Sequence, residues 1–447
     1  MSITLSLKEL LKEPEEIDKM GIPQGIVHDL VLRLLFNEGN VSLSRMCDVL
    51  KLPSMVADTL LLWMQKEHIV EVYKADSSGL GRLSYVYTLT QAGKERARDS
   101  MERSQYIGPA PVPVEMYEQV ILLQTNKSYK VTPQQVQSAL SQLVLPADFH
   151  RRIGPAVNAA SGLFLYGSSG NGKTTIAEAI GKLIAGTDPI WLPYTLAVGG
   201  QIIQIVDPLI HHPPYPPQEG GDGGVGIQAK RTKELGRVDQ RWGLFERPTV
   251  TVGGELKMAD LELRYNPIAK LYEAPLQLKA NGGMFLIDDF GRQQIKPQDL
   301  LNRWVVPLES RVDFLRLQTG QTIVAPFREL IIFSTNLNPH DLVDDAFLRR
   351  IHIKVEVSRP DDKMFYQIFV DTCKRMNIEL DKSVFAYLLQ NWYIKTGRKM
   401  QGVHPRDILT TLITLCEYEG IPPRLTPQLI DEACRSYFVQ VTPPFYI

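Results

Sequence analysis

Apolar positions change their period along this chain, and the changes mark its elements. From Gln24, the residues Ile26, Val27, Leu30, Leu34 and Leu35 recur at a helical spacing, the pattern of a helix that buries one stripe. Ser42 to Leu50 predicts a second helix, and Pro53 opens a third with Val56, Leu60, Trp63 and Met64 on one face. The period then shortens to two in Ile69 to Lys74 and Tyr85 to Thr90, which predicts paired strands joined through Asp76-Ser-Ser-Gly-Leu-Gly81. A further helix starts at Thr90. Three prolines among small residues make Tyr106 to Val114 an expected extended spacer.

Beyond the spacer, short unbroken apolar runs replace alternation, as in strands buried on both faces. Leu163 to Tyr166, Met284 to Ile287 and Leu330 to Phe333 are such runs, and another strand is predicted near Ile190 to Tyr194. Three hairpins are predicted: Tyr194 to Asp207 about Gly199-Gly200, Thr249 to Tyr265 near Gly253-Gly254, and Val312 to Phe327. Between the first two lie the Pro/Gly-rich stretch His211 to Gly224 and a mildly basic stretch, Lys230 to Arg247, that interleaves Trp242 and Phe245. From Asp361 to Ile447 the helical period returns, with Phe365, Phe369, Phe385, Leu388, Leu409, Leu412 and Ile430 as expected core.

Composition narrows the class. The 447 residues suffice for two to four structural units with real cores. Lys and Arg number 49 against 50 Asp and Glu, so no global field draws the chain to nucleic acid or an anionic membrane. Cys47, Cys373, Cys416 and Cys434 lack metal-ligand spacing, three of them lie in helical, apolar contexts and read as reduced core residues, and His211-His212 has no third ligand in sequence. No apolar run predicts a membrane span or a secretory leader, so a cytoplasmic location is expected; Met1 to Lys19 reads as a small amphipathic helix or a loose tail.

The strongest chemical signal is Gly167-Ser168-Ser169-Gly170-Asn171-Gly172-Lys173-Thr174-Thr175, set between a predicted strand and a predicted helix. The spacing G-x-x-x-x-G-K-T lets several backbone N–H groups turn toward one anion, with the positive end of the helix behind them. Lys173 is expected on the β- and γ-phosphates of a nucleoside triphosphate, and the Thr174 hydroxyl on Mg2+. The run Met284 to Ile287 ends in Asp288 and Asp289. Asp288 is expected to hold the metal's water shell and Asp289 to polarise the attacking water. Adjacent acids on a strand point to opposite sides, so the two take different tasks. The strand Leu330 to Leu337 brings polar Asn336 beside the phosphates.

Two further elements complete a pattern: Asp344-Asp-Ala-Phe-Leu-Arg-Arg-Ile, a short helix ending in Arg349 and Arg350, and Gly402-Val-His-Pro-Arg-Asp, which puts Arg406 in a first helical turn. From about Thr132 onward the chain resembles an AAA+ ATPase. That resemblance implies a P-loop parallel sheet with a helical lid, Asn336 as sensor 1, Arg349 or Arg350 as the arginine finger, and Arg406 as sensor 2. A finger in that place serves the next subunit, so a homo-oligomeric ring, hexameric in most relatives, is implied. Most of the family has Glu where this chain has Asp289, which implies slower hydrolysis or a nucleotide-held switch. The hairpin at 312–327 matches the pre-sensor-1 hairpin of the branch rich in helicases and remodelers.

The order helix, helix, helix, hairpin, helix, together with Leu89-Thr-Gln-Ala-Gly-Lys-Glu-Arg96, resembles a winged helix-turn-helix. Its third helix offers one Lys against Asp58 and Glu67, which favours a protein partner over DNA; Arg82, Lys94, Arg96 and Arg98 are the residues suited to phosphates. The expected organisation is therefore an N-terminal tail over 1–23, a winged helix over 24–104, and a linker over 105–130. The α/β nucleotide-binding domain follows over 131–357, with an insertion at about 195–281 and the 312–327 hairpin, and the helical lid spans 358–447. The expected function is an ATP- and Mg2+-dependent hydrolase that remodels a protein or protein complex, and the motif combination resembles bacterial chaperone-type ATPases linked to pilus assembly. The alternatives are an ATP-controlled DNA-binding switch and a nucleotide-gated scaffold that hydrolyses little.

Overall fold

The computed structural model describes residues 6–74, 81–126, 130–214, 236–342 and 345–438. They fall into two compact units, one drawn from 1–130, 184–286 and 293–331, the other from 131–183, 287–292 and 332–447.

In the first unit, helices Gln24–Glu38, Leu43–Leu50 and Ser54–Lys66 precede the strands Val70–Lys74 and Val86–Leu89, which pair antiparallel, and the helix Gln91–Arg103. Local chemistry sets these boundaries. The Ser42 hydroxyl accepts from the Arg45 N–H and the Thr90 hydroxyl from the Gly93 N–H, each satisfying an orphan donor at a helix start. Val27, Leu30, Leu34, Met46, Leu60 and Tyr87 close one core. Val41–Ser42 adds a short third strand against Val86 and Tyr87. Most of the expected joining segment, residues 75–80, lies outside the described residues.

Residues 105–130 differ from the expected linker. Val112–Pro113 is the edge strand of a five-stranded sheet, parallel to Thr195–Val198, and Val114–Asn126 is a helix that buries Tyr117, Val120 and Ile121. A proline lacks the ladder N–H, so a proline-rich stretch suits a sheet edge as well as it suits a free spacer. The apolar residues between the prolines decide the outcome. The chain's start is likewise held, with helix Leu7–Leu10 burying Leu10 and with Leu11 also buried.

Two predicted hairpins form: Thr195–Val198 with Gln201–Gln204, and Val312–Arg316 with Thr322–Pro326. The hairpin expected over Thr249 to Tyr265 does not. Thr249–Val252 instead joins a central sheet, while Arg264–Asn266 pairs with Leu271–Glu273. Ile190–Pro193 is a strand but pairs antiparallel with Trp242–Phe245. The central parallel sheet runs Thr249–Val252, Met284–Ile287, Leu330–Thr335, Gly162–Tyr166, Ile353–Glu356. Its three inner strands are buried along almost their whole length, which explains their unbroken apolar runs.

Within the second unit the C-terminal helices are Asp362–Arg375, Lys382–Leu388, His404–Glu419 and Pro427–Tyr437, with a π-helical stretch at Leu389–Ile394. Phe365, Phe369, Leu388, Leu409, Leu412 and Ile430 form their core, and Cys373, Cys416 and Cys434 are buried as free thiols. Among the described residues no helix is long and apolar enough to cross a membrane.

Candidate active site

The strand Gly162–Tyr166 and the helix Lys173–Ala185 bracket the glycine-rich loop. Gly170 has a φ of 73°, and a Cβ there would stand 2.7 Å from Val403 Cγ1 and 2.9 Å from Gln401 Oε1. Only glycine satisfies both limits. Lys173 is 6% exposed, and its Nζ donates to Gly167 O at 2.9 Å, to Ser168 O at 3.0 Å and to Asn336 Oδ1 at 2.5 Å. Burial holds its pKa below the ordinary lysine value, while the Asp288 and Asp289 carboxylates oppose that shift.

Asn336 reaches this lysine because Leu330–Thr335 lies between the loop's strand and the strand that leads to the acids. Its Nδ2 donates to Asp289 Oδ1 at 2.9 Å, and Thr174 Oγ1 donates to Asp288 Oδ2 at 2.8 Å. Lys173, Asn336 and Asp289 thus form one hydrogen-bonded chain, and the Thr174–Asp288 pair lines the same cavity beside it. The opposed-acid expectation needs correction: the strand ends at Ile287, and Asp289 has a φ of 49°. This left-handed turn replaces the strand's alternation, so both acids line the same cavity.

That cavity measures about 470 Å³, within the range of small-molecule sites. Ser169 to Thr175 form its floor. Arg406 lines it from the first turn of His404–Glu419, its Nε donating to Asp407 Oδ1 at 2.9 Å. Arg349 belongs elsewhere, on a separate 630 Å³ cavity with Tyr166, Asn338, His340 and Lys354. Arg350 is not among the residues lining the loop's cavity.

Sequence reasoning missed part of the wall. Ile368, Asp371, Thr372 and Arg375 line the cavity from one stripe of Asp362–Arg375, and Leu143 to Leu145 line it from a segment without regular structure. The first group carried a signal, since its spacing of three and four residues defines one helix face; the second carried none. Arg292, also in the wall, follows the two acids after Phe290 and Gly291.

Comparison with known proteins adds a partial match. A family described as Domain of unknown function (DUF8689) matches residues 361–436, the C-terminal helices alone. No curated protein sequence matches. Among solved structures, NtrX from Brucella abortus in complex with ATP is similar at 14% identity, covering 83% of this chain and 63% of that one, with a TM-score of 0.37. NtrX in complex with ADP is 15% identical, covering 76% and 65%, also at 0.37. The chain spans just under two thirds of these neighbours' length, and likeness at such scores carries no argument about its activity.

Proposed function

We propose that this chain is a Mg2+-dependent ATPase of AAA+ type that acts as a homo-oligomeric, hexameric ring in the cytoplasm and remodels a protein or protein complex. The observation that carries the reading is the joined group Lys173–Asn336–Asp289 with Thr174–Asp288, set over a glycine-rich loop in one cavity. A lysine, a hydroxyl, two carboxylates and a carboxamide at the carboxyl ends of parallel strands suit phosphoryl transfer and little else.

Thr174 and Asp288 offer two hard oxygen donors 2.8 Å apart, a fit for Mg2+, which would neutralise charge on the phosphates. Lys173 grips the β- and γ-phosphates. Asp289 orients a water and takes its proton as the water oxygen bonds to the γ-phosphorus and the bond to the bridging oxygen breaks. ADP and inorganic phosphate leave. Asn336 holds the Asp289 carboxylate in place and faces the γ-phosphate. Arg406, on the helical lid over 358–447, reaches the phosphates from its own subunit, and Arg349 or Arg350 acts on the neighbour's nucleotide.

Residues 24–104 act as a winged helix that recruits a partner. Met55 and Trp63 are exposed on its third helix, and Arg82 is held by Asp58 at 3.1 Å. An apolar outer face and an engaged arginine support a protein partner over a duplex.

The test is ATP hydrolysis by the full chain with Mg2+, together with its mass in solution with and without ATP. Activity that rises with protein concentration and vanishes in Lys173→Ala supports the reading. A Lys173→Ala protein that hydrolyses as fast as wild type ends it.

A further inference from the structure

We infer that Arg292 is a same-subunit catalytic arginine that contacts the γ-phosphate of the bound triphosphate, an inference that rests on the ATPase reading above. Its guanidinium belongs to a turn built to face the cavity. After the strand Met284–Ile287, Asp289 has a φ of 49° and Gly291 a φ of 100°. A left-handed aspartate is costly and persists only where surroundings impose it, while the glycine two residues on supplies the second positive φ at little cost.

The surroundings here are specific. The Phe290 N–H donates to Ser334 O at 2.7 Å, and its carbonyl accepts from Thr335 Oγ1 at 2.7 Å. The Phe290 ring is fully buried between Phe164 and Phe333, at 6.0 and 5.2 Å. A Cβ on Gly291 would stand 2.7 Å from Leu342 Cδ2, and the Arg292 N–H closes the turn on Asp289 O at 3.0 Å. Locked in this way, the turn returns the chain to the cavity it has just left. Arg292 then lines that cavity with Lys173, Asp288, Asp289 and Asn336.

The chemistry gives the guanidinium a task. As the water oxygen bonds to the γ-phosphorus, the electron pair of the broken bond stays on the β-phosphate oxygen of ADP. The water's proton passes to Asp289 and then to solvent. Charge moves toward the γ-oxygens and the leaving oxygen, and two carboxylates already stand beside them. Lys173 and Arg406 supply cations from the same subunit, and the planar guanidinium of Arg292 adds another.

The experiment uses full-length Arg292→Ala and Arg292→Lys. ATP affinity is read by displacement of a fluorescent nucleotide, transition-state affinity by ADP with fluoroaluminate, and kcat by phosphate release. For Arg292→Ala, ATP affinity is expected within about threefold of wild type, fluoroaluminate trapping at least about tenfold weaker, and kcat about 100-fold lower. Arg292→Lys recovers part of the loss, and the melting temperature is unchanged because the side chain is exposed. Mixing supplies the decisive arm. Arg292→Ala mixed with Lys173→Ala regains no activity, since every site lacks one same-subunit group. Unchanged kcat and trapping in Arg292→Ala, or recovered activity on mixing, overturns the inference while leaving the ATPase reading intact. A wild-type chain that neither binds nor hydrolyses ATP overturns both.

Discussion

Asn336 Nδ2 donates to Asp289 Oδ1 at 2.9 Å, so the carboxamide that would face a bound phosphate also fixes the carboxylate that would activate water. One carboxamide serves both tasks because it offers a donor at one end and an acceptor at the other, the latter taken by Lys173. Asn336→Ala is therefore expected to lower kcat by about 10- to 100-fold with ATP affinity little changed. Steady-state kinetics beside nucleotide titration checks this, and a rise in KM with unchanged kcat would contradict it.

The left-handed turn explains why an aspartate stands at 289. Short Asp and Asn side chains tolerate a positive φ better than longer ones. Asp289→Glu is expected to cost about 1 kcal/mol in stability and to leave hydrolysis no faster. Asp289→Asn should keep the melting temperature and ATP binding while hydrolysis falls about 100-fold or more. Thermal melts and phosphate release on the two variants read both outcomes.

Gly291 has no room for a side chain: its φ is 100°, and the nearest atoms belong to Leu342 and Leu337. Gly291→Ala is expected to destabilise the second unit by about 2–3 kcal/mol through backbone strain and overpacking. Urea unfolding measures it, and a variant as stable as wild type would show the turn to be loose.

Arg241 and Asp239 form an ion pair with both side chains 1% exposed, and the guanidinium also donates to the carbonyls of Met20 and Pro111. Arg241→Ala leaves a buried carboxylate and two carbonyls without their donor. A loss of about 3–5 kcal/mol is expected. The same denaturant series tests it against a surface control such as Arg96→Ala.

Two buried groups give stability opposite slopes with pH. Burial raises the Glu329 carboxyl from 4.5 to about 8, against the pull of Arg311. The folded chain holds that proton where the unfolded chain has lost it, so this stability is full below 4.5 and is lost as pH rises through 8. Burial lowers His211 from 6.5 to about 4, so its share is full above 6.5 and is lost as pH falls toward 4. Glu329→Gln is expected to melt higher than wild type at pH 9 and about level at pH 5. Melts across that range decide the sign.

Much of the candidate site was legible in order along the chain. The loop from Gly167 to Thr175, the acids at a strand end and Asn336 at another are local patterns, and the fold brings them within hydrogen-bond reach. The wall from Leu143 to Leu145 and Ile368 to Arg375 was not legible, because lining a cavity leaves little mark on periodicity. Arg292 was hidden differently: a single arginine after two acids reads as a strand-end charge until the turn at Asp289 and Gly291 is known.

By itself the sequence determined those features that neighbours in the chain enforce. A glycine where φ must be positive, a hydroxyl at a helix start and an unbroken apolar run for a strand buried on both faces act over a few residues. Tertiary structure alone decided which runs pair. Thr249–Val252 and Ile190–Pro193 are equally short, yet only the first, the less apolar of the two, joins the central sheet. The prolines of 105–130 suit a linker or a sheet edge, and burial of Val112, Tyr117 and Val120 chose the edge. Pairing is settled by partners distant in sequence, where many apolar runs are interchangeable one by one and only their joint packing tells them apart.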